Sequence, residues 1–70
     1  MSISQEQLQF IINSDVEQLV NRLHCDNGLS LAEAFERVYN SNIYEKLQNT
    51  DTGLYLQSSD YIYDYLKDEL

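Results

Sequence analysis

Seventy residues carrying four Lys and Arg against twelve Asp and Glu, with no Pro, two Gly and one Cys, make one domain at most, since a domain usually takes about 100–200 residues. The net charge of −8 opposes direct contact with nucleic acid or an anionic membrane surface, and a lone cysteine closes no intramolecular disulfide. With 43% hydrophobic residues the chain has the apolar material to fold, so a small acidic cytoplasmic domain is expected.

Ser4-Gln5-Glu6-Gln7 places a hydroxyl three residues ahead of an amide that can reach back, the signature of a capping box. Leu8, Ile12, Val16, Leu19 and Leu23 follow at spacings of three and four, flanked by Ile11 and Val20. That period predicts an amphipathic helix over roughly 4–24. Asp26-Asn27-Gly28 ends it, because Asn and Gly tolerate the left-handed conformation of a helix C-cap.

Ser30-Leu31-Ala32-Glu33 is a second capping box, with Leu29 and Ala34 as a hydrophobic staple. Leu31, Ala34, Phe35, Val38 and Tyr39 form the expected core face of a helix over roughly 30–40, with Glu33, Glu36, Arg37 and Asn40 opposite. Asn40-Ser41-Asn42 interrupts it, and a short helix carrying Ile43, Tyr44 and Leu47 is predicted to about residue 48. Residues 49–53 are five turn formers in a row. Residues 54–57 alternate and read as an extended connector. Ser58 or Ser59 then caps a last helix over roughly 59–69, with Tyr61, Ile62, Tyr65, Leu66 and Leu70 on its apolar face and Asp60, Asp64 and Asp68 opposite. The fold class is therefore all-α: a long helix, a helical hairpin, a short helix, an extended connector and a closing helix in a single small domain.

The last four residues, Lys67-Asp68-Glu69-Leu70, spell the tetrapeptide that receptors read as endoplasmic-reticulum retention. The N-terminus has no positive region, and the run Phe10-Ile11-Ile12 falls short of the seven to fifteen apolar residues of a signal peptide. The tetrapeptide is therefore read as the polar end of a helix.

Enzyme chemistry is scarce. His24-Cys25-Asp26 lines up an imidazole, a thiol and a carboxylate, but a structural zinc site needs four ligands in paired spacings and the chain has one His and one Cys. Adjacent helical side chains also point about 100° apart, so neither helps the other as nucleophile and base. Cys25 is expected to be a small half-buried residue. No catalytic residue, metal site or cofactor is expected, and the protein is read as a non-enzyme. A helix-turn-helix DNA reader over 30–48 is rejected as well, since the would-be recognition helix offers only Lys46.

Two features point instead to a partner. Four of the six tyrosines, Tyr55, Tyr61, Tyr63 and Tyr65, crowd into the C-terminal stretch. Tyr61 and Tyr65 are expected to be core rings, whereas Tyr55 and Tyr63 are hard to bury with them. Tyrosine suits interfaces because it covers an apolar ring and keeps a wet hydroxyl. Beside them the ridge Asp60, Asp64, Asp68 repeats a like charge one turn apart, at a cost of a few tenths of a kcal/mol per pair, and would suit a partner with a basic surface. On the first helix, Phe10 lies off the apolar stripe on the side shared with Ile3. Either the chain covers that helix on two sides, or Phe10 and Ile3 form an exposed apolar spot that a homodimer would cover.

The segments beginning Ser30-Leu31-Ala32-Glu33-Ala34-Phe35, Ile43-Tyr44-Glu45-Lys46-Leu47 and Leu54-Tyr55-Leu56-Gln57-Ser58, with Tyr61-Ile62 and Tyr65-Leu66, resemble a family of small uncharacterised bacterial helical proteins. Those are often encoded beside proteins resembling ADP-ribosyltransferases. The resemblance implies a long helix, a capped second helix, a short third helix and a closing helix, and an accessory or antitoxin-like role. Tyr55 stands where that family often has His, so no role of that His carries over. The expected function is thus a small protein–protein interaction module using Tyr55, Asp60, Tyr63, Asp64 and Phe10. The alternative is an acidic mimic of nucleic acid that occupies a DNA- or RNA-binding protein.

Overall fold

The structure, a computed structural model, describes residues 3–69; Leu70, expected on the apolar face of the last helix, lies outside them. Four α-helices follow one another: α1 (Gln5–Asn27), α2 (Leu31–Tyr39), α3 (Asn42–Gln48) and α4 (Ser59–Lys67), with single 3₁₀ turns at Thr50–Thr52 and Leu54–Leu56 between α3 and α4. No strand occurs among the described residues. The fold class is all-α, as the apolar periods required.

Local chemistry sets the helix ends. Both capping boxes form: the Ser4 hydroxyl accepts from the Gln7 amide at 3.1 Å and the Ser30 hydroxyl from the Glu33 amide at 3.1 Å, each with the reciprocal side-chain bond. The Ser41 and Ser58 hydroxyls cap α3 and α4 by accepting from the backbone amides of Tyr44 and Tyr61. α1 runs three residues beyond its expected end, to Asn27, and stops where Gly28 turns left-handed at φ 68°, a conformation that glycine adopts without steric cost.

The core is one cluster built along α1 from Leu8, Ile12, Val16, Leu19, Val20 and Leu23. It is closed by Ala34 and Val38 of α2, Ile43 and Leu47 of α3, Leu54, and Ile62, Tyr63 and Leu66 of α4. Each large side chain buried there contributes about 1.5–3 kcal/mol of apolar transfer. α3 is held at its N-terminus by the far end of the chain. The Glu69 carboxylate accepts from the Asn42 amide at 2.8 Å and the Ile43 amide at 3.1 Å, an anion on the positive end of a helix.

Three expectations are corrected. Residues 54–57 are not extended. The Thr52 hydroxyl lies within 2.7 Å of the Lys46 carbonyl and 2.9 Å of that of Asn49, and accepts from the Leu54 amide at 3.2 Å. That ties the loop back onto α3, Gly53 reverses the chain at φ 67°, and the following turn drops Leu54 into the core. On α2 only the small edge of the predicted face, Ala34 and Val38, is buried; Leu31, Phe35 and Tyr39 stay exposed. Small residues let α2 sit close on α1, and the bulky edge then rides outside. On α4 the buried residues are Ile62, Tyr63 and Leu66, while Tyr61 and Tyr65 face solvent. The helix is turned by roughly 50° from the face read in the sequence.

Candidate functional site

Tyr63 explains the rotation of α4. Its side chain is 1% exposed, and its hydroxyl donates to Asp26 Oδ2 at 3.1 Å and accepts from the Asn27 side-chain Nδ2 at 3.4 Å. The Arg22 guanidinium lies 4.2 Å from the ring centroid and the Lys67 ammonium 5.5 Å. The ring thus fills the junction of α1 and α4 between two cations, an arrangement favoured by its quadrupole. Burial and the bond to Asp26 both push the hydroxyl pKa up. The expectation that Tyr63 is surface-facing is corrected: α1 supplies the partners that a buried tyrosine needs.

The same cations reach the aspartate ridge. Arg22 bonds Asp60, and Lys67 Nζ lies 3.2 Å from Asp64. Asp60 and Asp64 are therefore paired inside the chain, although both stay largely open to water, so each pair contributes under about 1 kcal/mol. Beside them the rings of Tyr61 and Tyr65 meet at 5.1 Å, tilted by 54°, with the Tyr61 hydroxyl donating to that of Tyr65 at 3.3 Å, and with Asp64 and Asp68 they line a shallow depression. Tyr55 is half-buried against the core.

Phe10 is 75% exposed. With Ile3, Glu6, Gln7 and Ile11 it lines an open depression beside α1; Phe10 is exposed as one of the two expected arrangements had it, whereas Ile3 is half-buried against the core. A second apolar feature was not anticipated. Leu31, Phe35 and Tyr39 are 50%, 41% and 47% exposed, and they form one wall of a groove whose other wall is Asn13, Val16, Glu17, Val20 and Asn21 of α1. The rings of Phe35 and Tyr39 stack at 5.8 Å and 12°, and Tyr44 meets Tyr39 edge-on at 4.8 Å.

The polar candidates stand apart from these surfaces. His24 is exposed, its Nδ1 2.6 Å from the Leu29 carbonyl. Cys25 is exposed rather than half-buried, because the helix continues past it to Asn27. Asp15 went unnoticed in the sequence, yet it is 8% exposed and its Oδ2 finds no hydrogen-bond partner among the described residues. Burial pushes its carboxyl from an ordinary 3.8 up to about 6. Its position three after Ile12 and four before Leu19 was the available signal. Among the described residues no three His, Cys, Asp or Glu side chains group as a metal site would require, and no helix is long and apolar enough to cross a membrane.

Compared with family models, curated proteins and solved structures, the chain matches none.

Proposed function

We propose that the protein is a small non-enzymatic binding module of the bacterial cytoplasm that recognises one protein encoded nearby, as an accessory or antitoxin-like partner. The observation that supports this most is the row Leu31, Phe35, Tyr39. A nine-residue helix leaves its three largest apolar side chains about half open to water and buries Ala34 and Val38 instead. A contiguous apolar patch rimmed by polar groups is the ordinary mark of a contact surface. Tyr61 and Tyr65, with Asp60, Asp64 and Asp68, add a more polar second face, the part of the tyrosine-rich acidic surface that stays exposed.

Occupation of a nucleic-acid-binding protein by an acidic face has less support. Asp60 and Asp64 already meet Arg22 and Lys67 of the same chain, which leaves a short and partly neutralised ridge.

Co-expression with each adjacent gene product, followed by light scattering of the purified mixture, tests the reading. One product co-elutes at a defined mass, and Phe35→Ser weakens that complex about tenfold or more, as a buried aromatic anchor does. Separate elution of every adjacent product overturns the reading, as does a complex indifferent to both Phe35→Ser and Tyr65→Ser.

A further inference from the structure

We infer that the α1–α2 groove receives an amphipathic helix whose flanks carry Lys or Arg. This rests on the reading of the protein as a binding module and assigns the chemistry of what it binds. Leu31, Phe35 and Tyr39 recur one turn apart over about 12 Å of helix, facing Val16 and Val20 across the groove. Apolar anchors at one-turn spacing are what a groove needs to hold a helix. The row is also fixed before any partner arrives, since Phe35 stacks on Tyr39 and Tyr44 braces Tyr39. Little side-chain freedom remains to be lost on binding. Along α1 the same side continues past Asn13 to Phe10, one turn earlier.

Charge selects the occupant. Glu17 lines the groove and Glu6 lines the depression at Phe10, and no Lys or Arg lines either. The basic side chains sit elsewhere: Arg22 and Lys67 at Tyr63, Arg37 in the depression on the other side of α2, and Lys46 on α3. A second copy of the chain is disfavoured, because it brings another −8 against the same glutamates.

The test is an NMR titration of the ¹⁵N-labelled protein with two synthetic helical peptides of about five turns. Both carry the same Leu and Phe stripe; one is flanked by Lys, the other by Glu. The Lys-flanked peptide is expected to shift amides of residues 13–21 and 31–39 and to bind about tenfold tighter than its twin at low salt. The double variant Glu6→Gln, Glu17→Gln, both exposed positions, is expected to remove most of that difference with an unchanged circular dichroism spectrum. Equal affinity for the two peptides overturns the inference, as do shifts confined to Tyr61 and Tyr65. Silence toward both peptides in a protein that sediments as a dimer, and as a monomer after Phe35→Ser, overturns it in favour of a second copy. Any of these results beside an intact complex with an adjacent gene product leaves the binding-module reading standing.

Discussion

Asp15 occupies a position where the period of α1 asks for an apolar side chain, and it bears the consequence. With Oδ2 unpartnered and the carboxyl pushed up to about 6, the native state keeps a proton that the unfolded chain releases near 3.8. The native state is therefore favoured at low pH, and that advantage is lost as pH rises through about 6. Asp15→Asn keeps the shape and removes the charge. Urea denaturation should show it stabilising the protein by about 2 kcal/mol at pH 7.5 and by almost nothing at pH 4. A constant difference at both pH values would mean that Asp15 is not held away from water. Tyr63 works the other way, as a buried group whose polar needs are met. Tyr63→Phe should cost only about 1 kcal/mol, because its bonds go to rim groups that water can serve. Tyr63→Ala should cost about 3–5 kcal/mol and leave little native circular dichroism. Equal losses for the two variants would place the value of Tyr63 in its hydroxyl instead of its ring.

At the scale of elements, the helices and their caps were legible because they are local. Capping boxes span four residues, and the α1 stripe repeats over about four turns, so neither depends on what lies across the fold. The phase of the short helices was not legible. Nine residues of α2 present Leu31, Ala34, Phe35, Val38 and Tyr39 over an arc wider than one neighbour can cover, and the sequence does not say which edge docks. For α4 the choice is made by Arg22, Asp26 and Asn27, which meet it from 36 to 38 residues away. Phe10 was legible as an outlier because it departs from a long, regular stripe. The connector was misread because its path is set by the Thr52 hydroxyl reaching Lys46 and Asn49. Glu69 adds a capping element that no periodicity reveals. Glu69→Gln should lower stability by about 1 kcal/mol and speed hydrogen exchange at the Asn42 and Ile43 amides. Asp68→Asn should do neither, and matching effects from the two would remove the cap.

For the whole molecule, size and charge set the terms. One 23-residue helix, about 35 Å long, makes up most of the fold's 40 Å length, and three shorter helices cover part of it. The remainder carries exposed apolar side chains on a chain of net charge −8. Self-repulsion of that size is screened by salt, whereas the two ion pairs lie in water and have little to lose. The melting temperature should therefore rise between 50 mM and 0.5 M NaCl, and a fall would give the Arg22 and Lys67 pairs a larger share of stability than their exposure allows. A net charge of −8 opposes self-association, and the occupant inferred for the α1–α2 groove is basic. The claim that this groove is a contact surface, and not a failed core, is tested most directly by one paired measurement on the variant Leu31→Ser, Phe35→Ser. Thermal unfolding and complex formation with the adjacent gene product are read on the same sample. The account predicts a melting temperature unchanged or raised, within about 4 °C of the parent, together with loss of the complex. A large drop in melting temperature, or a complex that survives, would contradict it.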